Sequence, residues 1–322
     1  MALNGSKVPT RDAPAESGRP PITLPQALTP AATVLYHPEL ELLDAMLSSL
    51  DRAGRRIYIF VNSPLDRAVE DRLTGLANAV AIRSSTNVGL GAALNAILER
   101  AASDGFQNVL LLDQDSTPAP DLPEQLNQHF LKRDTPADPL AMVGPLLVPP
   151  AGHHYLPVRY AWRRKRDGAV DFLPTSGSLL SIAAWKRVGP FRADYIIAGI
   201  DVEWGFRAWS RGYASLVARD IQMVHRWGTP SDGEHPNKPQ ILRHSDQRIY
   251  YYLRNSVDCL KLAHIPFVWK VKNSIRLTAQ IGALLYDRRL QAQTRHVIAS
   301  ALVAGAKKKM GHIEDNLEGF TG

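Results

Sequence analysis

The sequence predicts an α/β fold: a doubly wound, mostly parallel sheet with a helical extension at its C-terminus. Between Ala31 and Leu112, short apolar runs alternate with longer segments whose apolar residues recur at helical spacing. Repeated β-α units of this length are typical of parallel sheets. From Gln240 onward the pattern is mostly helical. The chain has 322 residues, 45% of them hydrophobic, which is enough for one large α/β domain with an appendage.

The first half of the chain has the most regular alternation. The helix Glu39–Ala53, for example, is predicted because Leu43, Met46, Leu47 and Leu50 lie on one face. The predicted elements of this half are the strand Thr33–Tyr36, the helix Glu39–Ala53, the strand Ile57–Val61, the helix Asp66–Leu76, the strand Ala79–Ile82, the helix Ala92–Ala102 and the strand Val109–Leu112. The predicted elements beyond Pro118 are the helix Leu122–Lys132, the strand Ala141–Val148, the helices Ser181–Val188 and Ile200–Arg211, and the extended segment Ala214–Val224.

Composition divides the chain into three regions. Residues 1–30 contain six prolines and lack the apolar core of a signal peptide, which predicts a disordered tail. Residues 31–260 are predicted to form the folded α/β domain, and residues 261–322 a basic, amphipathic helical region. The single cysteine, Cys259, excludes an internal disulfide and a cysteine zinc site. This cysteine usage fits a cytoplasmic, reducing compartment.

The positive charge is concentrated near the C-terminus. Between Cys259 and Ile313 there are ten Lys or Arg residues and one acid, Asp287, so this segment carries +9 of a formal net charge of +7. The rest of the chain therefore sums to −2. Because the basicity is local, the sequence gives no reason to expect nucleic-acid binding by the domain.

Two aspartates follow the apolar run Val109–Leu112 directly. An apolar run this short predicts a strand buried on both faces, so Asp113 and Asp115 should emerge at its carboxyl end. Open α/β sheets bind their ligands at that edge. Two carboxylates on one short segment suit Mg²⁺ or Mn²⁺ held together with substrate phosphates.

Asn87, Gly89, Gly91 and Asn95 lie between a predicted strand and a predicted helix. Three interpretations stay open. A dinucleotide-binding turn can present backbone N–H groups to a pyrophosphate, although Leu94 stands where the third small residue should be. The glycines can instead let the chain pass close to a nucleotide-sugar. The turn can also be purely structural.

Three further groups carry candidate chemistry. Residues Thr175–Ser178 are small and hydroxylated, which suits the floor of an acceptor pocket and an ordinary turn equally. Asp201 begins a predicted helix, where it can act as a general base or complement the helix dipole. Glu203 stands four residues before Arg207, the order of an exposed i,i+4 ion pair. His225 ends an extended segment and is either a third metal ligand or a structural histidine.

Several of these groups belong to one ordered set of motifs. The set is Tyr36-His37-Pro38, Asn87-x-Gly89-x-Gly91-Ala-Ala-x-Asn95, Asp113-Gln-Asp115-Ser116, Thr175-Ser-Gly-Ser-Leu179, Asp201-x-Glu203-Trp204 with Arg207 and Gly212-Tyr213, His225-x-x-Gly228, and Tyr251-Tyr252-x-Arg254-Asn255. It resembles the inverting glycosyltransferases of family 2, which have the GT-A fold. Within them it is most similar to bacterial rhamnosyltransferases.

The resemblance implies a role for each matching position. It makes Asp113 and Asp115 the segment that holds the donor diphosphate and Mg²⁺ or Mn²⁺, with Asp115 favoured as the direct ligand. It makes Asp201 the catalytic base and His225 a contact to the metal or diphosphate. The donor-binding residues implied are Tyr36, Asn62, Asn87, Gly89, Gly91, Asn95, Asp113 and Gln114. The acceptor-binding residues implied are Ser176, Gly177, Ser178, Glu203 and Trp204.

The function implied is metal-dependent, inverting transfer of L-rhamnose from dTDP-rhamnose to a hydroxyl of a growing, lipid-linked bacterial glycan. Many relatives have Asp where this chain has Asn62, which leaves the choice between thymidine and uridine open. An alternative is therefore a galactosyl-, glucosyl- or other hexosyltransferase that uses a UDP-sugar. A remote alternative is a binding or scaffold protein that kept the fold without activity.

The basic C-terminal region has a second possible partner. No run of 18 apolar residues exists in the sequence, so nothing is expected to span a bilayer. Residues 266–306 nevertheless combine apolar side chains at helical spacing with a cationic polar side. Such a helix can lie on an anionic membrane surface, here the inner face of the cytoplasmic membrane. The alternative is that its apolar side packs against the α/β domain.

Overall fold

The computed structural model describes residues 28–51, 54–149, 167–225, 241, 244–287 and 292–315. Several predictions lie outside these residues. They are the disordered tail up to residue 27, Gly228 and the last residues of the C-terminal region.

The elements follow the predicted order. The strands are β1 (Ala31–Leu35), β2 (Ile57–Val61), β3 (Ala79–Arg83), β4 (Asn108–Leu112), β5 (Leu140–Val148), β6 (Ala169–Val170), β7 (Ser178–Ser181) and β8 (Ala214–Val224). The helices are α1 (Leu40–Asp51), α2 (Arg67–Thr74), α3 (Leu90–Ser103), α4 (Leu122–Arg133), α5 (Ile182–Val188), α6 (Ile200–Ser210), α7 (Asp246–Cys259), α8 (Phe267–Tyr286) and α9 (Ala292–Lys307). Most bounds differ from the predicted ones by one or two residues.

The eight strands form one sheet in the order β3-β2-β1-β4-β7-β5-β8-β6. The pairs β1–β2, β1–β4, β2–β3 and β5–β8 are parallel, whereas β7 is antiparallel to both β4 and β5, and β6 is antiparallel to β8. Six strands therefore run in one direction and two run against them. The predicted mostly parallel sheet is confirmed.

Helices cover both faces of the sheet, as the doubly wound prediction requires. Alternate residues of each central strand face opposite cores; in β4, Val109 and Leu111 face one core and Leu110 and Leu112 the other. The first core contains the apolar sides of α3, α5 and α6. The second contains those of α1, α2 and α4. Burial on both faces explains why these strands read as short, continuous apolar runs.

The strand β7 was not predicted. Ser178–Ser181 begins and ends with a hydroxyl residue and is only four residues long, so the sequence favoured a turn leading into a helix. All four residues are buried because β7 fills the space between β4 and β5. Its position brings the preceding residues 175–177 to the same edge as the carboxyl end of β4.

The regions at either end of the α/β domain are joined to it. Thr29, in the predicted tail, is buried, and its carbonyl accepts a 2.6 Å hydrogen bond from Arg55. At the other end, α7, α8 and α9 share a third core that also includes Ile196. Because α7 and α9 pack together across residue 260, packing is continuous at that predicted boundary.

Candidate active site

The polar segments singled out in the sequence meet at one edge of the sheet. The strands β1, β2, β4 and β8 all run toward this edge, and β7 starts from it. The chain order reverses between the neighbours β1 and β4, which is the switch point where open α/β sheets bind ligands. Tyr36 follows β1 and Asp113 follows β4, so both flank the switch point.

The turn after β4, residues 113–116, is held from below by hydroxyl groups. The Oγ atoms of Ser116 and Ser176 are 2.8 Å apart, and the Asp113 N–H donates to Ser176 Oγ at 3.3 Å. The amide of Gln114 bonds both backbone groups of Tyr36, accepting from N at 2.8 Å and donating to O at 3.1 Å. These contacts fix the turn, and the side chains of Asp113 and Asp115 are half-buried.

The electrostatics of Asp113 reflect a concentration of negative charge. Burial, followed by the charge of Asp115, raises the pKa of Asp113 to about 7, and Asp201 acts in the same direction. The guanidinium of Arg248 opposes this rise in pKa. Three carboxylates and one cation therefore interact across the cleft. Such clusters of charge that shift one another are typical of functional sites.

His225 lies next to the same turn. A β-bridge joins Thr117 to Val224, the residue before His225. Burial lowers the pKa of His225, against the charge of Asp115, which raises it. The imidazole is therefore buried and close enough to Asp115 to interact with it.

The predicted three-ligand metal set is not assembled in this structure. Among the described residues, no three His, Cys, Asp or Glu side chains are close enough together to hold one ion, which corrects the grouping of His225 with Asp113 and Asp115. The two carboxylates alone still fit a divalent ion, because Mg²⁺ is commonly held by one or two carboxylates together with substrate phosphates. Their mutual repulsion, visible in the raised pKa of Asp113, would be relieved by a cation.

Asp201 is the second residue of α6, and its carboxyl group lies close enough to Asp113 to interact with it. It is half-buried, and its carboxylate accepts a 2.9 Å hydrogen bond from the N–H of Val202. Burial raises the pKa of Asp201, while backbone N–H groups, including that of Val202, lower it. Its effect on the pKa of Asp113 shows that the two carboxyl groups interact. A carboxyl group placed in this way has a raised affinity for a proton.

Glu203 and Trp204, predicted to contact the acceptor, are in the core. Glu203 is 2% exposed and pairs with Arg207 at 2.8 Å and with Nε2 of His264 at 3.0 Å. Burial alone would raise the pKa of Glu203, but hydrogen bonds from His264 and Arg207 lower it overall. Trp204 is fully buried and donates to the carbonyl of Gly189. The prediction that these residues contact the acceptor is therefore wrong; they fix α6.

The loop before α6, residues 193–199, has an unusual backbone that α7 holds in place. Ile196 and Ala198 have φ angles of 63° and 66°, in the left-handed region that residues with a side chain rarely occupy. Asn255, which is buried, donates to the carbonyls of Tyr195, Ile197 and Ala198 at 2.9–3.0 Å. α7 therefore holds this loop in place, and the loop determines where α6, which carries Asp201, begins.

The glycine-rich turn before α3 approaches protein backbone instead of a ligand. A Cβ atom added to Gly91 would lie 2.4 Å from the carbonyl oxygen of Arg192, and one added to Gly89 would lie 2.8 Å from Cα of Ile196. The Asn87 side chain accepts from the N–H of Gly89 at 2.9 Å. These contacts support the structural interpretation of this turn, and the donor-binding role given to Gly89 and Gly91 stays a prediction.

Two more asparagines of the predicted donor site also serve the fold. Asn62, 3% exposed, donates to Asn87 and accepts from the N–H of Val88, both at 2.9 Å. Asn95 bonds both backbone groups of Phe191 at 2.9 Å. Because both groups of the Asn62 and Asn95 amides are bonded within the protein, these two residues serve the fold, while a donor-binding role for the half-buried Asn87 stays a prediction.

Ser176, Gly177 and Ser178 are buried as well. Ser176 supports the turn after β4, and Ser178 donates to the carbonyl of Pro174 at 2.6 Å. A Cβ on Gly177 would lie 2.7 Å from Cε of Met223. All three residues are buried beneath the turn after β4, and their predicted role in an acceptor pocket stays a prediction.

Sequence reasoning missed Arg248. It lies in the first turn of α7, is exposed, and its charge acts on Asp113. The available signal was its place three residues before Tyr251, in the helix that carries the last motif of the resemblance. Of the predicted donor-binding side chains, Tyr36 is the exposed one, with 44% of its surface accessible and its ring edge-on to His37.

Comparison with known proteins agrees with this geometry. No protein-family model matches the chain. It is similar to the dTDP-rhamnosyl transferase RfbF of Shigella flexneri, with 22% identity over 286 residues, which cover 84% of this chain and 93% of the relative.

Solved structures give the fold. S. aureus TarS 1-349 in complex with UDP-GlcNAc matches with a TM-score of 0.53 and 12% identity over 87% of this chain and 81% of that one. A longer TarS structure matches with a TM-score of 0.54 and 12% identity. The match covers 87% of this chain but only about half (49%) of the TarS chain. GalNAc-T7 with UDP, GalNAc and Mn²⁺ matches with a TM-score of 0.51 and 14% identity over 81% of this chain and 57% of that one. The fold predicted from the motifs is therefore confirmed: this chain has the GT-A fold of glycosyltransferases.

Proposed function

We propose that this chain is a metal-dependent, inverting glycosyltransferase that transfers L-rhamnose from dTDP-rhamnose to a hydroxyl of a growing, lipid-linked bacterial glycan. The observation that carries the proposal is the electrostatic interaction of Asp113 with Asp115, Asp201 and Arg248 at the switch point of a GT-A sheet. The similarity to a dTDP-rhamnosyl transferase over most of both chains supports the choice of rhamnose.

The donor diphosphate is assigned to the turn after β4. Asp113 and Asp115 would hold Mg²⁺ or Mn²⁺ there, and when bound the ion offsets charge on the departing nucleoside diphosphate. Arg248, on the first turn of α7, adds a positive charge on the same side. Tyr36, exposed beside the turn, offers a ring on which the nucleobase can stack.

Asp201 is assigned as the general base. It removes the proton from the acceptor hydroxyl while that oxygen attacks the anomeric carbon from the face opposite the diphosphate. The bond to the diphosphate breaks in the same displacement, so the configuration inverts and no enzyme nucleophile is required. The raised pKa of Asp201 favours this role, since a base is most effective when its pKa approaches the working pH.

A UDP-hexose is the alternative donor. It is supported by the solved structures of similar fold, one of which was determined with UDP-GlcNAc. The Asn62 amide is bonded to Asn87 and Val88, so base selection rests on other groups around Tyr36.

The deciding experiment measures release of nucleoside diphosphate from dTDP-rhamnose, UDP-galactose, UDP-glucose and UDP-GlcNAc, with Mn²⁺, Mg²⁺ or EDTA. We expect turnover with dTDP-rhamnose that EDTA abolishes and that Asp115→Asn reduces by about 10²-fold or more. Asp121→Asn, an exposed acid between β4 and α4, is the matched control and should retain activity.

Each other outcome selects another function. Full activity in EDTA or in Asp115→Asn would refute the metal assignment. Turnover with a UDP-sugar alone would favour the alternative donor. Failure of every donor, together with failure to bind nucleotide, would favour the non-catalytic protein. NMR of the product decides whether the anomeric configuration inverts.

A further inference from the structure

The helix α8 has one side packed against the protein and one side turned outward. Its buried residues, Asn273, Leu277 and Leu284, are four and seven positions apart and lie on the side facing the third core. In an α-helix, where successive residues rotate by about 100°, residues two positions away from these point to the opposite side. That opposite side should be polar if it only faces water.

It is instead apolar. We call these residues the outer stripe of α8. The outer stripe consists of Phe267, Val268, Val271, Ile275, Leu285 and Tyr286, all exposed. Phe267 is 78% and Tyr286 is 87% exposed, so the two large aromatic side chains at the ends of the helix are almost uncovered. Thr278 and Gly282 continue the same side between Ile275 and Leu285. The exposed apolar side chains of α8 therefore form two groups, Phe267 to Ile275 and Leu285 with Tyr286, separated by Thr278 and Gly282.

Cations border the outer stripe along one side, where Lys272 and Arg276 are exposed. Lys270 is half-buried and lies beside Leu277, on the side of the helix that faces the core. The sequence has no Asp or Glu between Cys259 and Tyr286. Apolar side chains beside long cationic ones match the boundary between lipid headgroups and acyl chains, because Lys and Arg can extend toward phosphates while their stems stay apolar.

We propose that the outer stripe of α8 docks this protein on an anionic membrane surface, with the helix lying in the plane of the headgroups. In the described part of the chain, no helix is long and apolar enough to cross a bilayer. An in-plane position satisfies both the apolar stripe and its charged border. A second copy of the chain is a poorer occupant, because its own stripe would bring the same cations face to face.

The first test is flotation with vesicles of phosphatidylglycerol and phosphatidylcholine, using the full chain. Val271→Ser/Ile275→Ser should weaken binding to anionic vesicles by about tenfold or more, because both side chains lose apolar contact with the lipid. Leu131→Ser is the matched control: Leu131 is 67% exposed on α4, away from the stripe, and its substitution should leave binding unchanged.

The second test removes charge. Lys272→Gln/Arg276→Gln should weaken binding to anionic vesicles by about 25-fold, since each cation near such a surface contributes about a fivefold gain in affinity. Lys186→Gln, an exposed lysine on α5, is the control. High salt should weaken binding of the parent chain toward that of the double Gln variant.

Three results would overturn the proposal: equal binding to neutral and anionic vesicles, equal flotation of the Val271→Ser/Ile275→Ser variant, or a dimer that this variant converts to a monomer. The last would assign the stripe to a second copy. Flotation reports attachment alone, so its failure leaves the proposed reaction standing. Conversely, an inactive protein that floats would leave the docking surface intact.

Discussion

The turn before α3 and the turn after β4 both place small and polar residues at the same edge of the sheet, and both were predicted to bind the donor. In the first, the amides of Asn62 and Asn87 bond each other and nearby N–H groups, and Gly91 lies against the backbone of Arg192. In the second, hydroxyl and amide groups fix the backbone, while the half-buried carboxylates of Asp113 and Asp115 lie close enough together to repel each other.

The difference shows which polar residues a fold uses for itself and which it leaves for a ligand. A buried amide that is fully bonded stabilises the structure, since breaking the network would leave unpaired polar groups. Neighbouring carboxylates that repel each other cost stability and persist where a ligand uses them. The helix α6 repeats this contrast within three residues: Glu203 is paired in the core, and Asp201 interacts with Asp113.

The contrast on α6 gives the largest expected effect. Asp201→Asn keeps the shape of the side chain but removes its ability to accept a proton, so kcat should fall by about 10²–10⁴-fold. Donor affinity should change little, because the base acts on the acceptor. Steady-state kinetics with the donor identified by the screen measure both quantities.

Glu203→Gln is the matched comparison for Asp201→Asn. It weakens the pair with Arg207 and His264 and should therefore lower the free energy of unfolding while kcat per folded molecule changes by less than about tenfold. A larger loss of kcat in Glu203→Gln than in Asp201→Asn would show that the two acids are assigned the wrong way round.

Gly91→Ala tests whether the turn before α3 packs against protein backbone and not against a ligand. Its Cβ would lie 2.4 Å from one backbone oxygen and 2.9 Å from the adjoining carbon of Arg192, and backbone cannot move away as a side chain can. We expect a loss of about 3 kcal/mol in the free energy of unfolding, measured by urea denaturation.

Gly282→Ala is the control for that substitution. A Cβ there meets no atom within 4 Å, and the residue is helical, so Ala should stabilise the protein by about 0.5–1 kcal/mol. If Gly91→Ala instead left stability intact and raised only the donor KM, the turn would be a ligand-binding segment after all.

Much of the fold was predictable because its strands are buried on both faces. Runs such as Ile57–Val61 and Val109–Leu112 leave little choice of structure, and the boundaries of β2 were predicted without error. The strand β7 was missed because Ser178 and Ser181 interrupt the apolar pattern of a buried strand. Its extended conformation depends on pairing with β4 and β5, which the local sequence does not reveal.

The candidate site was less predictable, for a physical reason. An Asn or Gly has the same appearance in a sequence whether its partner is a ligand or a backbone group 96 residues away, as for Asn95 and Phe191. The chemistry of Asp113 and Asp115 was more specific, because two carboxylates after a buried strand have few structural uses. Arg248 was missed because its partner, Asp113, is 135 residues distant along the chain.

Asn255→Ala tests whether the hydrogen bonds from Asn255 to the loop before α6 position Asp201. The substitution removes hydrogen bonds to three carbonyls of the loop 195–198, which should cost about 2 kcal/mol of stability. Because the loop leads into α6, kcat should also fall by about tenfold at a temperature where the variant is folded, with donor affinity unchanged.

Asn273→Ala is the control for Asn255→Ala. Asn273 is also buried, but it lies on α8 and bonds Arg276. This variant should lose stability without losing kcat. Equal kcat values in both variants would mean that Asn255 supports the fold without positioning the base.

The turn after β4 predicts that the free energy of unfolding depends on pH, and this is the smallest of the expected effects. The pKa of Asp113 is raised from its ordinary value of 3.8 to about 7, first by burial and then by Asp115. The folded state therefore binds this proton more tightly than the unfolded chain does. The resulting stability is fully present below pH 4 and is lost as the pH rises through about 7.

Asp113→Asn removes the titration, so in EDTA at pH 8 it should be more stable than the parent by on the order of 1 kcal/mol, after allowance for solvent screening. Urea denaturation of both proteins between pH 5 and pH 8 measures the difference. If the free energies of unfolding of the two proteins changed with pH in parallel, the carboxylate of Asp113 would not destabilise the folded protein. The two turns would then differ in their hydrogen bonding and not in the stability that their polar groups provide.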